Sequence, residues 1–129
     1  MERVGRENIV IFGMTAEEVA AKRANGYVPR EVIEGSRELC QAVRSIASGV
    51  FSPDEPMRYQ GLMDALYNSD WFMVAADFDA YAAAQRDVDA RWQSRPAWRK
   101  AAIMNIANVG WFSSDRTIGE YAREIWGVL

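Results

Sequence analysis

The sequence contains no histidine, one cysteine (Cys40) and only two lysines, Lys22 and Lys100, in 129 residues. Each scarcity excludes chemistry. Without histidine there is no Ser-His or Cys-His nucleophile pair and no histidine-containing metal site. One cysteine can build neither an internal disulfide nor a thiolate cage, which suits a reducing compartment. Two lysines leave few candidates for Schiff-base chemistry. No apolar run approaches the roughly 18–20 residues of a membrane span. The opening Met1-Glu2-Arg3-Val4-Gly5-Arg6 has no hydrophobic stretch of the signal-peptide kind. The net charge is −3 and no basic stripe offsets it, which argues against a nucleic-acid or anionic-membrane partner. Together these features predict a cytoplasmic location.

What is present is ordinary globular composition, 50% hydrophobic and 26% charged, enough to build a core in a chain of one-domain size. Asn8-Ile9-Val10-Ile11-Phe12-Gly13 is a short apolar run that predicts a buried, parallel-type strand. Thr15 with Glu18 has capping-box spacing and predicts a helix to about Ala24, with Gly26 past its end. Ser36 opens a helix with Leu39, Val43, Ile46 and Ala47 on one face, stopped by Gly49. Ser52-Pro53-Asp54-Glu55-Pro56 is a turn, and Tyr59, Leu62, Met63 and Leu66 mark the next helix. Trp71 to Ala76 reads equally as a strand or an extended link.

Asp77 is positioned to cap a helix to about Trp92, with Phe78, Tyr81, Ala82, Gln85, Val88 and Trp92 on one side. Pro96 falls in the first turn of a further helix that ends near Gly110. A last helix begins at Ser114, with Ile118, Tyr121, Ala122, Ile125 and Trp126 at helical spacing. The expected class is thus mostly α with one or two short strands, in a single domain over 1–129. A lone parallel-type strand has no partners here, so the domain reads as partial.

Few residues invite a catalytic reading. Asp77 with Asp79, and Asp87 with Asp89, are paired carboxylates of the kind used in acid–base work. At i, i+2 on a helix their side chains diverge, so capping or solvation is the default. Ser113-Ser114-Asp115-Arg116-Thr117 could hold phosphate at a helix start, but capping explains it without a ligand. The tryptophans Trp71, Trp92, Trp98, Trp111 and Trp126 could stack on sugars, with core or interface packing as the default. Asn8 to Gly13 lacks the glycine pattern of a nucleotide site, and Cys40 reads as a small core residue.

Laid out in this order, the chain resembles the end of an α-glucan phosphorylase of the glycogen, starch and maltodextrin type. The matching stretches are Asn8 to Met14, Gly26-Tyr27, Gly49 to Pro53, Ala76-Asp77-Phe78 with Tyr81, Phe112 to Ile118, Glu120-Tyr121-Ala122 and Ile125-Trp126. The run from Phe112 to Ile118 with its sequel is the most specific. Val50, Trp71, Trp111 and Gly119 depart from the pattern; the last puts glycine inside a helix at a cost of about 1 kcal/mol against alanine.

The resemblance implies a parent glycosyltransferase with two Rossmann-like lobes (the GT-B arrangement), of an allosteric-type family. That enzyme would release glucose 1-phosphate from an α-1,4-glucan with inorganic phosphate. It also implies pyridoxal phosphate on a lysine in a Gly-Thr-Gly-Asn-Met-Lys stretch, a motif that contains neither Lys22 nor Lys100. No catalytic, cofactor-binding or metal residue is therefore assigned in this chain, which alone is expected to be inactive. The resemblance implies that 114–127 is a helix crossing to the N-terminal lobe, with the rest of the phosphorylase chain as partner and homo-oligomers as the assembly. Two rivals remain: a free-standing helical interaction module descended from such an enzyme, and a segment that binds glucan by itself.

Overall fold

The computed structural model describes Arg3–Val128 and places these residues in seven α-helices. They are α1 (Ala16–Ala24), α2 (Pro29–Gly35), α3 (Arg37–Ala47), α4 (Gln60–Asn68), α5 (Val74–Gln93), α6 (Arg95–Asn108) and α7 (Ser114–Glu124), with 3-10 turns at Arg6–Asn8 and Val109–Phe112. The mostly-α class is observed. The one or two short strands are not: among the described residues there is none. Ile9 does have extended torsions (φ −132°, ψ 144°). A strand, however, is made by its neighbours, and here the carbonyls of Glu7 and Asn8 take side-chain donors instead, Arg91 Nη1 at 3.0 Å and Asn105 Nδ2 at 2.7 Å.

The chain divides into two compact units. The first, Phe12–Arg86, contains a core of Ile33, Leu39, Val43, Met63 and Ala75, with Val32, Ile46, Leu66, Tyr67 and Phe78 packed against it. Helix α1 starts at the predicted capping box, with Thr15 Oγ1 accepting from Glu18 N and Thr15 N donating to Glu18 Oε2. It buries none of its residues. Helix α2, which periodicity did not predict, opens on Pro29 and buries Ile33 completely. Ser36 closes α2 and caps α3, accepting from Leu39 N.

The second unit comprises residues up to Ile11 together with those from Asp87 onward. Here α6 opens after Ser94 with Pro96 in its first turn, as predicted. Helix α7 is shorter than the predicted 114–127. Its backbone turns off after Glu124: Ile125 N and Trp126 N both reach Tyr121 O, Val128 N reaches Ala122 O, and Gly127 has φ +61°. That is a left-handed helix ending.

The start of α5 is also corrected. Trp71 to Ala76 is neither strand nor link, because the helix begins at Val74 rather than at Asp77. A tight turn precedes it, with Asp70 and Met73 at φ +33° and +54°.

Candidate functional site

The carboxylates singled out by sequence are held apart by separate structural duties. Asp77 Oδ1 accepts from Met14 N at 2.9 Å, and Asp79 Oδ1 accepts from Ser36 Oγ at 2.7 Å. Asp87 pairs with Arg91 Nε at 2.7 Å one helical turn on. Asp89 is exposed on α5. Neither pair converges on a common point, as the i, i+2 spacing predicts.

At the start of α7 the cap is Ser113, whose Oγ accepts from Arg116 N. Ser114 and Asp115 occupy the first turn. Arg116 bonds Glu120 and stacks 3.8 Å above the centroid of Trp111, while Arg3 lies 3.4 Å from the same ring.

The tryptophans are not in a core. Trp71 is 68% exposed, Trp126 56%, and Trp92 and Trp111 about two-fifths. Arginine faces cover part of the rings instead: Arg23 over Trp71 at 4.9 Å and Arg95 over Trp92 at 4.4 Å. Trp98 meets Trp92 edge to face at 5.0 Å.

Cys40 is half-buried on α3 with its thiol free. Lys22, in the last turn of α1, lies 5.9 Å above the Tyr27 ring, and Lys100 is exposed on α6. Neither placement fits a lysine holding a cofactor as a Schiff base, which requires an enclosing pocket with phosphate donors.

Sequence reading missed one buried, well-connected polar group. Asp70 is only 5% exposed, and its carboxylate accepts from Val74 N and Ala75 N at 2.9 Å each and from the Tyr27 hydroxyl at 2.5 Å. Burial raises the Tyr27 pKa above the ordinary phenol value, and the hydrogen bond to Asp70 and its charge raise it further. Asp70 thus satisfies the first free amides of α5. The only available signal was an aspartate four residues before the helix, which is outside the usual capping position.

Clefts occur in both units; a shallow one of about 610 Å3 lies along α3, between Glu34 and Ser48. In Phe12–Arg86 a cleft of about 370 Å3 is lined by Phe12, Phe72, Val74, Asp77, Phe78 and Tyr81. In the other unit a cleft of about 350 Å3 includes Val10, Val88, Arg91, Trp98 and Asn105. The outer face of α7 and the turn after it expose Ile118, Tyr121, Ile125 and Trp126, each by about half or more. Tyr121 and Trp126 meet edge to face at 6.1 Å. Among the described residues, no cluster of three or more acidic or cysteine side chains is spaced to hold a metal.

A family model described as carbohydrate phosphorylase matches residues 1–128. The chain is 49% identical over 127 residues to the brain form of glycogen phosphorylase from Mus musculus and 48% identical to that from Homo sapiens. It is 43% identical over 128 residues to glycogen phosphorylase from Haemophilus influenzae. These alignments cover 98–99% of this chain, yet the chain spans only about 15% of each relative's length.

Proposed function

Because the chain belongs to the carbohydrate phosphorylase family, we propose that it is the C-terminal part of an α-glucan phosphorylase and serves that enzyme structurally. The parent would be a cytoplasmic, two-lobed glycosyltransferase that releases glucose 1-phosphate from an α-1,4-glucan. Residues outside this chain would bind the glucan, the phosphate and the pyridoxal phosphate.

The observation that carries this reading is the apolar surface of α7. Ile118 and Tyr121 on this helix, and Ile125 and Trp126 in the turn after it, each stand about half or more in solvent. Burying side chains of this kind is favourable by roughly 1.5–3 kcal/mol each, and exposed apolar patches mark docking surfaces. The rest of the phosphorylase chain, its N-terminal lobe above all, is the proposed cover, with α7 crossing to it.

The test is complementation. The Haemophilus influenzae relative, deleted for the aligned segment, should release no glucose 1-phosphate, and neither should this chain alone. Mixing or co-expressing the two should restore release. Phosphorolysis by the isolated chain, or a stoichiometric aldimine on Lys22 or Lys100, would overturn the reading.

A second reading keeps its place because of one observation. The core of Ile33, Leu39, Val43, Met63 and Ala75 closes within one unit of this chain, as a free-standing helical module requires. In that case the deleted relative stays silent after mixing while this chain folds alone.

A further inference from the structure

The chain has five asparagines, and they fall into two groups. Asn8, Asn105 and Asn108 are each followed by a branched residue, Ile9, Ile106 or Val109. Their side-chain amides are all tied down: Asn8 to Val4 O, Asn105 to Asn8 O and Ala101 O, and Asn108 to Met104 O, at 2.7–2.9 Å. Asn25 and Asn68 are exposed, and among the described residues no hydrogen bond holds either side chain. Asn68 precedes Ser69, whereas Asn25 precedes Gly26, which has no Cβ to hinder approach to its nitrogen. A Cβ built on Gly26 would meet nothing within 4 Å, so the space around this dipeptide is open.

We propose that Asn25 is a site of spontaneous deamidation, and that the opening of α1 sets its rate. The Gly26 amide nitrogen attacks Asn25 Cγ. The new N–C bond forms as the Cγ–Nδ2 bond breaks, and ammonia leaves carrying the amide proton. Water then adds to one of the two carbonyls of the cyclic imide and that carbonyl's C–N bond breaks, the nitrogen taking one proton of the water; aspartate or isoaspartate remains, and its carboxyl group releases a proton to solvent. The reaction needs only water.

The closed turn resists this step. Asn25 sits at φ −86°, ψ 8° as the C-cap of α1, and Gly26 N donates to Arg23 O at 3.1 Å. Attack therefore requires the last turn of α1 to open. That opening is easy by the criteria that matter: α1 is nine residues long and buries none of them. It is held by the Thr15–Glu18 capping box at the other end and, in its last turn, by the exposed contact of Arg23 with Trp71.

The product opposes reclosure. A carboxylate replaces a neutral amide at a helix C-terminus, where negative charge is disfavoured. Isoaspartate also lengthens the main chain two residues before Tyr27, whose hydroxyl must reach Asp70.

Incubation of the 129-residue chain in mildly alkaline buffer, followed by isoelectric focusing and peptide mapping, tests this. The expected result is a species one charge more negative than the starting −3, with aspartate and isoaspartate at position 25 ahead of any change at Asn68. Thr15→Val should speed conversion roughly fivefold, the effect of losing one cap, with helicity checked by circular dichroism. Asn25→Gln should abolish the acidic species. A synthetic peptide spanning 21–29 should convert faster than the folded chain. Conversion first at Asn68 or at a bonded asparagine overturns the site. An equal rate in Thr15→Val, or in the peptide and the folded chain, overturns the control by α1.

Discussion

At the residue scale the decisive group is Asp70, and its partner gives a test with a definite sign. The folded chain holds the Tyr27 pKa above its ordinary value of 10.0. The group's contribution is therefore complete below about pH 10 and is lost as pH rises, since the unfolded chain ionises first. Urea unfolding at neutral pH should show Tyr27→Phe to be less stable by about 1.5–3 kcal/mol, the range for a hydrogen bond to a charged acceptor. The same variant should lose this tyrosine's share of the decline above pH 10. An unchanged alkaline slope would mean that the hydroxyl does not reach Asp70 in solution.

Little of this was legible in the sequence. The sequence points to Asp77 as the cap because it stands before an apolar periodic run. The actual cap lies seven residues earlier in the chain, and only a left-handed turn at Asp70 and Met73 brings it to the helix start. Such torsions cost energy in non-glycine residues and leave no compositional mark.

At the scale of elements, the readable features were the ones written locally. Thr15, Ser36 and Pro96 each start a helix where spacing placed it. Gly26 and Gly49 end helices with φ +81° and +75°. Gly110 does not. It lies within a 3-10 turn and is not among the glycines with positive φ. The two classes separate by substitution. Gly49→Ala meets both the left-handed backbone and Pro56 Cα at 2.9 Å, so it should destabilise by more than the ~1 kcal/mol usual for such torsions. Gly110→Ala meets nothing within 4 Å and should be neutral in the same melting assay. Helix α2 escaped notice because seven residues are too few for periodicity. Yet Ile33 on it is completely buried, and Ile33→Ala should cost about 2–5 kcal/mol by chemical denaturation.

At the scale of the whole molecule, family membership was legible in motif order, from Asn8-Ile9-Val10-Ile11-Phe12-Gly13 to the run from Phe112 to Trp126. That Asn8 to Phe12 forms no strand was not legible, because pairing depends on neighbours, and here the side chains of Arg91 and Asn105 take the Glu7 and Asn8 carbonyls. The apolar face of α7 and the turn after it is exposed. We expect sedimentation equilibrium of the isolated chain to show concentration-dependent self-association, favouring a twofold dimer, and Trp126→Asp to abolish it. A monomer at all concentrations would count against this face as a docking surface.

The core of the Phe12–Arg86 unit also has a kinetic consequence. Ile33, Leu39, Val43 and Met63 come from α2, α3 and α4, which follow one another directly in the chain. Contacts between sequence neighbours close short loops, and helical units of that kind refold in microseconds to milliseconds. In a stopped-flow trace this unit should give a fast phase independent of protein concentration. Association through α7 should follow as a slower phase that accelerates on concentration, so the two events separate on the time axis.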